Sequence, residues 1–199
     1  VLKQTDPLGN ETSYEYDDNS NVIKVTQIDK SPEGTVPDET FVTDTIYDAL
    51  DRPISVSDNL VNITTNTYDS RNNVIETEDA LENVTRFIYD GINRKLSDIR
   101  ELRVGGIGSG AIDTSNPHNT DGLITKSYEW DDNSRLIKLI DDKGNETSYE
   151  YDDLNRRTLE TFADTKTKVY TYDKDDNIIT YTDEMGNLCI HAYDGINRL

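Results

Sequence analysis

Apolar and polar residues alternate with period two in short runs, and turn-forming residues break the runs at regular intervals. Residues 135–152, RLIKLIDDKGNETSYEYD, show the pattern. Arg135, Ile137 and Leu139 fall on one face of an extended chain, and Thr147, Tyr149 and Tyr151 share a face of the next. Between them Asp142-Lys143-Gly144-Asn145 supplies turn residues, with Gly144 free to take positive φ. Asp152-Asp153-Leu154-Asn155 makes the following turn, where Asp side chains can cap backbone N–H groups. No segment sustains a 3.6-residue period between helix caps, so almost no helix is expected.

The same cycle recurs along the whole chain. The decapeptide GNETSYEYDD occurs at 9–18 and again at 144–153. Eight aromatic-Asp corners keep its register: Tyr16-Asp17, Tyr47-Asp48, Tyr68-Asp69, Tyr89-Asp90, Trp130-Asp131, Tyr151-Asp152, Tyr172-Asp173 and Tyr193-Asp194. Successive corners are 31, 21, 21, 41, 21, 21 and 21 residues apart, so the unit is 21 residues with one insertion of 10 and one of 20. Counting the aromatic as offset 0, offset 5 is Asn or Arg in every copy, offset 7 is mostly Ile, and offset 11 is usually Asp, ahead of a Gly-Asn pair in the best copies. Two strands of about 5–6 residues fit in one unit. Eight units therefore give about fifteen strands in an all-β meander, one continuous, twisted or spiralling antiparallel sheet. Both insertions, near 29–39 and 104–122, fall at hairpin tips, where growth leaves the ladder intact. The second is rich in Gly, Ser and Asn and is expected to be mobile. The chain reads as a single array over 1–199. It starts without Met and inside the repeat pattern, which suggests a piece of a longer protein.

Composition sharpens this reading. Only 33% of residues are hydrophobic, and much of that is amphipathic Tyr, of which there are 12; globular chains carry about 45–50% apolar residues. A thick Leu/Ile/Phe core is excluded, and a thin or hollow β structure wet on both sides fits better. The formal charge of −20 disfavours nucleic acid and anionic membrane surfaces, which need a positive footprint. The single cysteine, Cys189, allows no intramolecular disulfide. No apolar run approaches the roughly 18 residues of a membrane span, and VLKQTDPLGN has no signal-peptide h-region.

The segments YDDLNRR, WDDNSRLIKLIDDKGNETSYEYD and YDKDDNIITYTDEMGNLCIHAYDGINRL resemble the YD repeat, also called the RHS repeat. The resemblance covers the chain apart from the two insertions. It implies a long β-sheet that spirals into a strip or hollow shell. Such repeats occur in bacterial RHS toxins, in shell subunits of insecticidal toxin complexes, in wall-associated bacterial surface proteins and in teneurins. The implied role is structural and non-enzymatic, within a large secreted or cell-surface bacterial protein, with the rest of that protein and an encapsulated effector as partners. The alternative it implies is an adhesive module that recognises carbohydrate or a partner cell. The conserved core and self-cleavage segment of the toxins have no counterpart here. Asp6-Pro7-Leu8-Gly9 reads as an ordinary repeat turn, and eight repeats are too few to close a large shell.

Candidate chemistry is sparse. The residues two before each corner are Tyr14, Thr45, Asn66, Phe87, Tyr128, Tyr149, Tyr170 and His191. In a regular sheet they make a second aromatic row, read first as cross-strand packing. As a glycan platform, its ligand-binding residues would be Tyr14, Tyr128, Tyr149 and Tyr170. Asp173, Asp175 and Asn177 alternate like calcium ligands but lack the later Gly and Glu of an EF-hand, and no other cofactor is suggested. Forty acids make chance carboxylate pairs inevitable, and none is singled out as a glycosidase pair. Cys189 and His191 lie two apart on one strand face and point in parallel, so a packed thiol is expected. His118 falls in the second insertion, where a solvated side chain is expected. Exposed outer strands could pair edge to edge.

Overall fold

The computed structural model describes residues 2–31, 36–106, 108, 110–115 and 121–198. Sixteen strands form one antiparallel sheet in strict sequence order. They are β1 (Leu2–Thr5), β2 (Glu11–Tyr16), β3 (Val22–Asp29), β4 (Glu39–Tyr47), β5 (Pro53–Asp58), β6 (Ile63–Tyr68), β7 (Val74–Glu78) and β8 (Val84–Tyr89), then β9 (Lys95–Glu101), β10 (Leu123–Trp130), β11 (Leu136–Ile140), β12 (Glu146–Tyr151), β13 (Arg157–Thr161), β14 (Thr167–Tyr172), β15 (Ile178–Thr182) and β16 (Leu188–Ile190). Among the described residues the one helical element is a 3-10 turn, Val104–Gly106. The all-β expectation is met. Two compact units are distinguished, residues 1–86 with 103–112 and residues 87–102 with 113–199.

Neither unit has a hydrophobic core. No described apolar side chain is buried, and the buried side chains are polar, Asn83 at 6% and Ser97 at 9% exposure. A sheet with no second layer cannot hide either face. Its order has to come from the ladder and from side-chain bonds at its turns.

The 21-residue unit poses a parity problem that the ladder solves. Side chains alternate with period two, and directly paired residues share a face. With a three-residue loop at both turns, an odd repeat would swap its faces at every copy. One β-bulge per unit restores the phase. The register shifts at Glu15/Tyr16, Ile46/Tyr47, Thr67/Tyr68, Glu129/Trp130, Glu150/Tyr151 and Thr171/Tyr172. Each leaves one residue of the facing strand without a partner: Ile23, Ile54, Ile75, Ile137, Thr158 or Ile179. The offset-7 column is thus the bulge column. The unbroken alternation expected from Arg135 through Leu139 is interrupted there, because Trp130 faces Leu136 while Glu129 faces Lys138. Pairs made by the other strand connections, such as Leu159↔Val169 and Lys138↔Ser148, run without a shift.

Both insertions sit at hairpin tips, between β3 and β4 and between β9 and β10. The second makes bonds over part of its length. Arg103 bridges Ile112, and the Gly108 N–H donates to the Leu81 carbonyl at 2.7 Å. A Cβ at Gly108 would fall on the Glu82 carbonyl, so only glycine permits this approach. His118 lies outside the described residues.

Turn conformation gives a stability test. Thr165 holds φ 68 with a β-branched side chain, whereas Gly144 holds φ 77 at the equivalent place. Left-handed backbone costs an L-residue about 1–2 kcal/mol. Thr165→Gly should raise the melting temperature, by about 0.5–1 kcal/mol after glycine's own entropy cost. Gly144→Ala should lower it by about 1 kcal/mol, since a Cβ there meets nothing within 4 Å and only the backbone is strained. Thermal unfolding of the two variants checks both signs.

Candidate functional site

The side chains that sequence analysis marks as chemistry are drawn into a repeated turn. At each aromatic-Asp corner the Asp N–H donates to the carbonyl four residues on, and at every corner but that of Asp173 the N–H three residues on donates back to the Asp carbonyl; Asp152 with Arg156 and Asn155 makes both at 3.0 Å. This is a three-residue hairpin loop whose last residue is left-handed. That residue is Ser20, Asp51, Asn72, Asn93, Ser134, Asn155, Asp176 or Asn197, with φ between 59 and 71. Asn, Asp and Ser are the types that tolerate this conformation or bond locally within it. The carboxylate locks the loop. Asp152 Oδ1 accepts from the Leu154 and Arg156 N–H groups at 2.9 and 3.0 Å, and Oδ2 from Arg156 Nε at 2.8 Å.

The second turn of each unit is the same device. Asp141 Oδ1 accepts from the Lys143 and Asn145 N–H groups, and Oδ2 from Asn145 Nδ2 at 2.8 Å. Asp6, Asp58, Asp79 and Asp183 repeat it. Asp6-Pro7-Leu8-Gly9 is therefore an ordinary repeat turn. One turn departs: Phe162 stands in the Asp place and Lys166 in the Asn place, leaving the two backbone bonds at 2.9 Å each.

Offset 5 also ties each corner to the next one. Arg156 Nη1 donates to the Asp173 carbonyl at 2.8 Å and to Asp176 Oδ1 at 2.9 Å, and its guanidinium lies 4.7 Å from the Tyr172 ring centre. Arg135 does the same with Asp152, Asn155 and Tyr151, and Arg52 with Asp69, Asn72 and Tyr68. Where offset 5 is Asn the reach persists, from Asn21 Nδ2 to Asp51 Oδ1 at 2.7 Å and from Asn177 Nδ2 to Asn197 Oδ1 at 3.0 Å. The corner aromatic adds a bond in the opposite direction. Tyr47, Tyr68, Tyr151 and Tyr172 donate their hydroxyls to the carbonyls of Val22, Pro53, Leu136 and Arg157, and Trp130 Nε1 donates to Lys95. Each carbonyl is the offset-6 one, beside the bulge that breaks the ladder. Sequence analysis missed this linkage, although its signal is present. The offset-4 column contains only Asn, Asp and Ser, and offset 5 only Asn and Arg.

The second aromatic row is stacked and half-buried. The Tyr170 and Tyr181 rings are 5.3 Å apart, and Arg157 lies 5.5 Å from the Tyr149 ring centre and 5.2 Å from that of Tyr170. Lys95 lies 5.3 Å from the rings of both Phe87 and Tyr128. The Tyr128 hydroxyl donates to Asp98 Oδ2 at 2.6 Å; burial first, then this bond to an anion, push it up to about 12. Tyr14 faces Leu2 and Val25 across its strands.

The remaining candidates are not gathered. Asp173 uses both oxygens on the Asp175 and Asn177 N–H groups and Asn177 Nδ2. Among the described residues no group of three or more His, Cys, Asp or Glu is placed to hold a metal ion. Cys189 is exposed rather than packed, because β16 has no strand on its far side. His191 shares a hydrogen bond with the Ile178 carbonyl at 3.1 Å, in the offset-6 place that a corner Tyr takes elsewhere.

Tandem hairpins bonded corner to corner define a β-repeat protein. The RHS repeat family matches residues 1–36 and 130–167 of this chain. No curated protein matches it in sequence. Among solved structures, the crystal structure of TcdB2-TccC3-Cdc42 is 12% identical with a TM-score of 0.33, over 94% of this chain and 15% of that one. The Photorhabdus luminescens Tc holotoxin pore is 12% identical with a TM-score of 0.27, over 98% of this chain and 15% of that one. A porin-like protein from Bacteroides uniformis is 12% identical with a TM-score of 0.30, over 89% and 91%. At such scores the likeness carries no argument. The chain spans about 15% of the toxin-complex chains it resembles.

Electrostatics of the turns gives a pH prediction. Asp17, Asp48, Asp69, Asp141, Asp173 and Asp183 are held below the ordinary 3.8, chiefly by the side chain four residues on. At Asp131, Asp152 and Asp194 the backbone N–H of that residue is the main cause. At Asp90 desolvation pushes up most strongly, and the summed bonds outweigh it. A lowered carboxylate stabilises the fold above its unfolded value and loses that contribution as pH falls through the folded one. Tyr128 is raised, so its contribution holds below 10.0 and is lost as pH climbs towards about 12. The melting temperature should fall below pH 3.8 and again above pH 10.0, with the acid limb shallower in Asp152→Asn. Calorimetry across pH reads both limbs.

Proposed function

We propose that this chain is a non-enzymatic structural segment of a large secreted or surface bacterial RHS-type protein, forming part of a β-shell or extended strip. The carrying observation is the offset-5 fork. The conspicuous Arg and Asp side chains spend their bonds on their own corner and the next, which is what an extensible wall requires. Catalysis has no comparable support. A general acid needs a raised carboxyl, and every described carboxylate with a shifted value is shifted down, as at Asp17, Asp152 and Glu184. The partners of such a wall are the neighbouring repeats of the parent protein and a segment enclosed by it.

The test is made in the parent protein. Arg135→Ala with Arg156→Ala removes two forks without touching any enclosed segment. Limited proteolysis should then cut that segment faster than in the wild type. Unchanged protection, or a parent with no protected segment, overturns the reading.

A second reading has one observation behind it. The Tyr149–Arg157–Tyr170–Tyr181 row presents stacked rings beside a cation on the sheet face. As an adhesive surface it would bind sugars. A glycan array would show specific binding that Tyr170→Ala abolishes; a folded sample that binds nothing removes this reading.

A further inference from the structure

The chain contains four Asn-x-Thr triplets: Asn10-Glu11-Thr12, Asn62-Ile63-Thr64, Asn83-Val84-Thr85 and Asn145-Glu146-Thr147. All four put Asn at the fifth place of the second kind of turn, with Thr in the strand that follows. The aromatic-Asp corners carry none. This triplet is the acceptor for N-glycosylation when it lies on an exposed loop of a secreted protein.

The structure separates the four. Asn83 is buried beside Leu81, where the Gly108 N–H is bonded. Asn10 is held at both ends, its Oδ1 accepting from the Lys30 N–H at 2.9 Å and its Nδ2 donating to Asp6 at 2.9 Å. Asn62 and Asn145 are exposed. Asn10 and Asn145 each line a depression, but Asn10 is half-buried with both amide atoms bonded, so Asn145 is the exposed acceptor with a shelf beside it. It lines a depression of about 500 Å³ with Thr147, Phe162, Ala163, Lys166 and Met185. Phe162 is the residue that replaces the turn Asp in the neighbouring loop, so an aromatic ring stands where other copies hold a carboxylate. A ring offers an apolar face to the C–H side of a sugar, and Lys166 offers a donor to its hydroxyls.

We infer that Asn145 is an N-glycosylation site whose first sugar seats against Phe162, that Asn62 is a second acceptor without a shelf, and that Asn83 stays unmodified. In the transfer, Asn145 Nδ2 bonds to the anomeric carbon of a phosphate-activated sugar. The carbon–oxygen bond to the phosphate breaks, the phosphate leaves with its electron pair, and one amide proton passes to the transferase. The second amide proton remains, which is all that the 2.8 Å bond to Asp141 Oδ2 needs. The turn therefore survives modification. The inference rests on the export reading above, because this triplet is an acceptor in secreted proteins.

Mass spectrometry of glycopeptides from the parent protein, isolated from the exporting cells, is the test. Glycan is expected on the Asn145 and Asn62 peptides and absent from the Asn83 peptide. Asn145→Gln should remove one glycan, and the unsubstituted protein made in cells without the transferase, which keeps the Asn145 lock, should melt below the glycosylated protein. In a Phe162→Ala background Asn145 should still be modified, but the melting difference should vanish. An exported protein with bare Asn145, or with Asn83 as fully occupied as Asn145, overturns the inference. A protein found bare and confined to the cytoplasm overturns the export reading as well.

Discussion

A carboxylate that accepts two backbone N–H groups and one side-chain donor within five residues is the unit on which this structure depends. In most sheets one face is buried, and register is set by which residues must leave water. Here nothing apolar is buried among the described residues. Burial cannot choose the register, so the loops must. The Asp lock does this by fixing loop length at three residues and by making the left-handed conformation at the fourth turn place the only one that keeps every bond. Remove the lock and the facing strands keep their backbone bonds but lose what distinguishes one alignment from the next.

Order then spreads from corner to corner. The guanidiniums of Arg52, Arg94, Arg135 and Arg156 close their own loops with Nε and grip the next corner with Nη1, while the next corner's aromatic returns a bond to the carbonyl beside the bulge. Every unit is completed by its neighbour and by nothing further away. Stability in such a chain is a sum of unit and nearest-neighbour contributions. That explains why Asn can replace Arg at Asn21 and Asn177. The shorter side chain still reaches the offset-4 oxygen of the next corner, while the bond to the next Asp carbonyl and the stacking on the ring are given up.

Much of this was legible in the residues. The 21-residue spacing of the aromatic-Asp corners gave the two-strand unit, the all-β class and the hairpin-tip insertions. The bulge was not seen, although parity required it. An odd repeat with a consistent aromatic face must contain one extra residue, and the offset-7 isoleucines are the only regular column left to supply it. The corner-to-corner forks were missed because Arg and Asn at offset 5 look like different chemistry until both are seen reaching the same acceptor. Cys189 is exposed where a packed thiol is expected, because strand position alone does not say which faces are covered. Tyr14, Tyr128, Tyr149 and Tyr170 do fall in one column, but what they touch differs. Tyr128 meets an anion, Tyr149 and Tyr170 share a cation, and Tyr14 faces aliphatic neighbours.

The turn at Phe162 shows how far the scheme can bend. It has neither carboxylate lock nor Asn, and it places a β-branched Thr165 in the left-handed region. Two backbone bonds and the Lys166 N–H to Asp164 hold it. Such a loop is the weakest link of its unit, because every other second-type turn described here gains three or more side-chain bonds. It persists because β13 and β14 are each paired on their other side as well, so neighbours carry what the loop does not. In a nearest-neighbour structure a local defect costs only its own unit. A repeat protein can therefore surrender one lock and use the vacated position for a different side chain, and a half-buried aromatic ring with the Lys168 ammonium 5.0 Å from its centre is what stands there now.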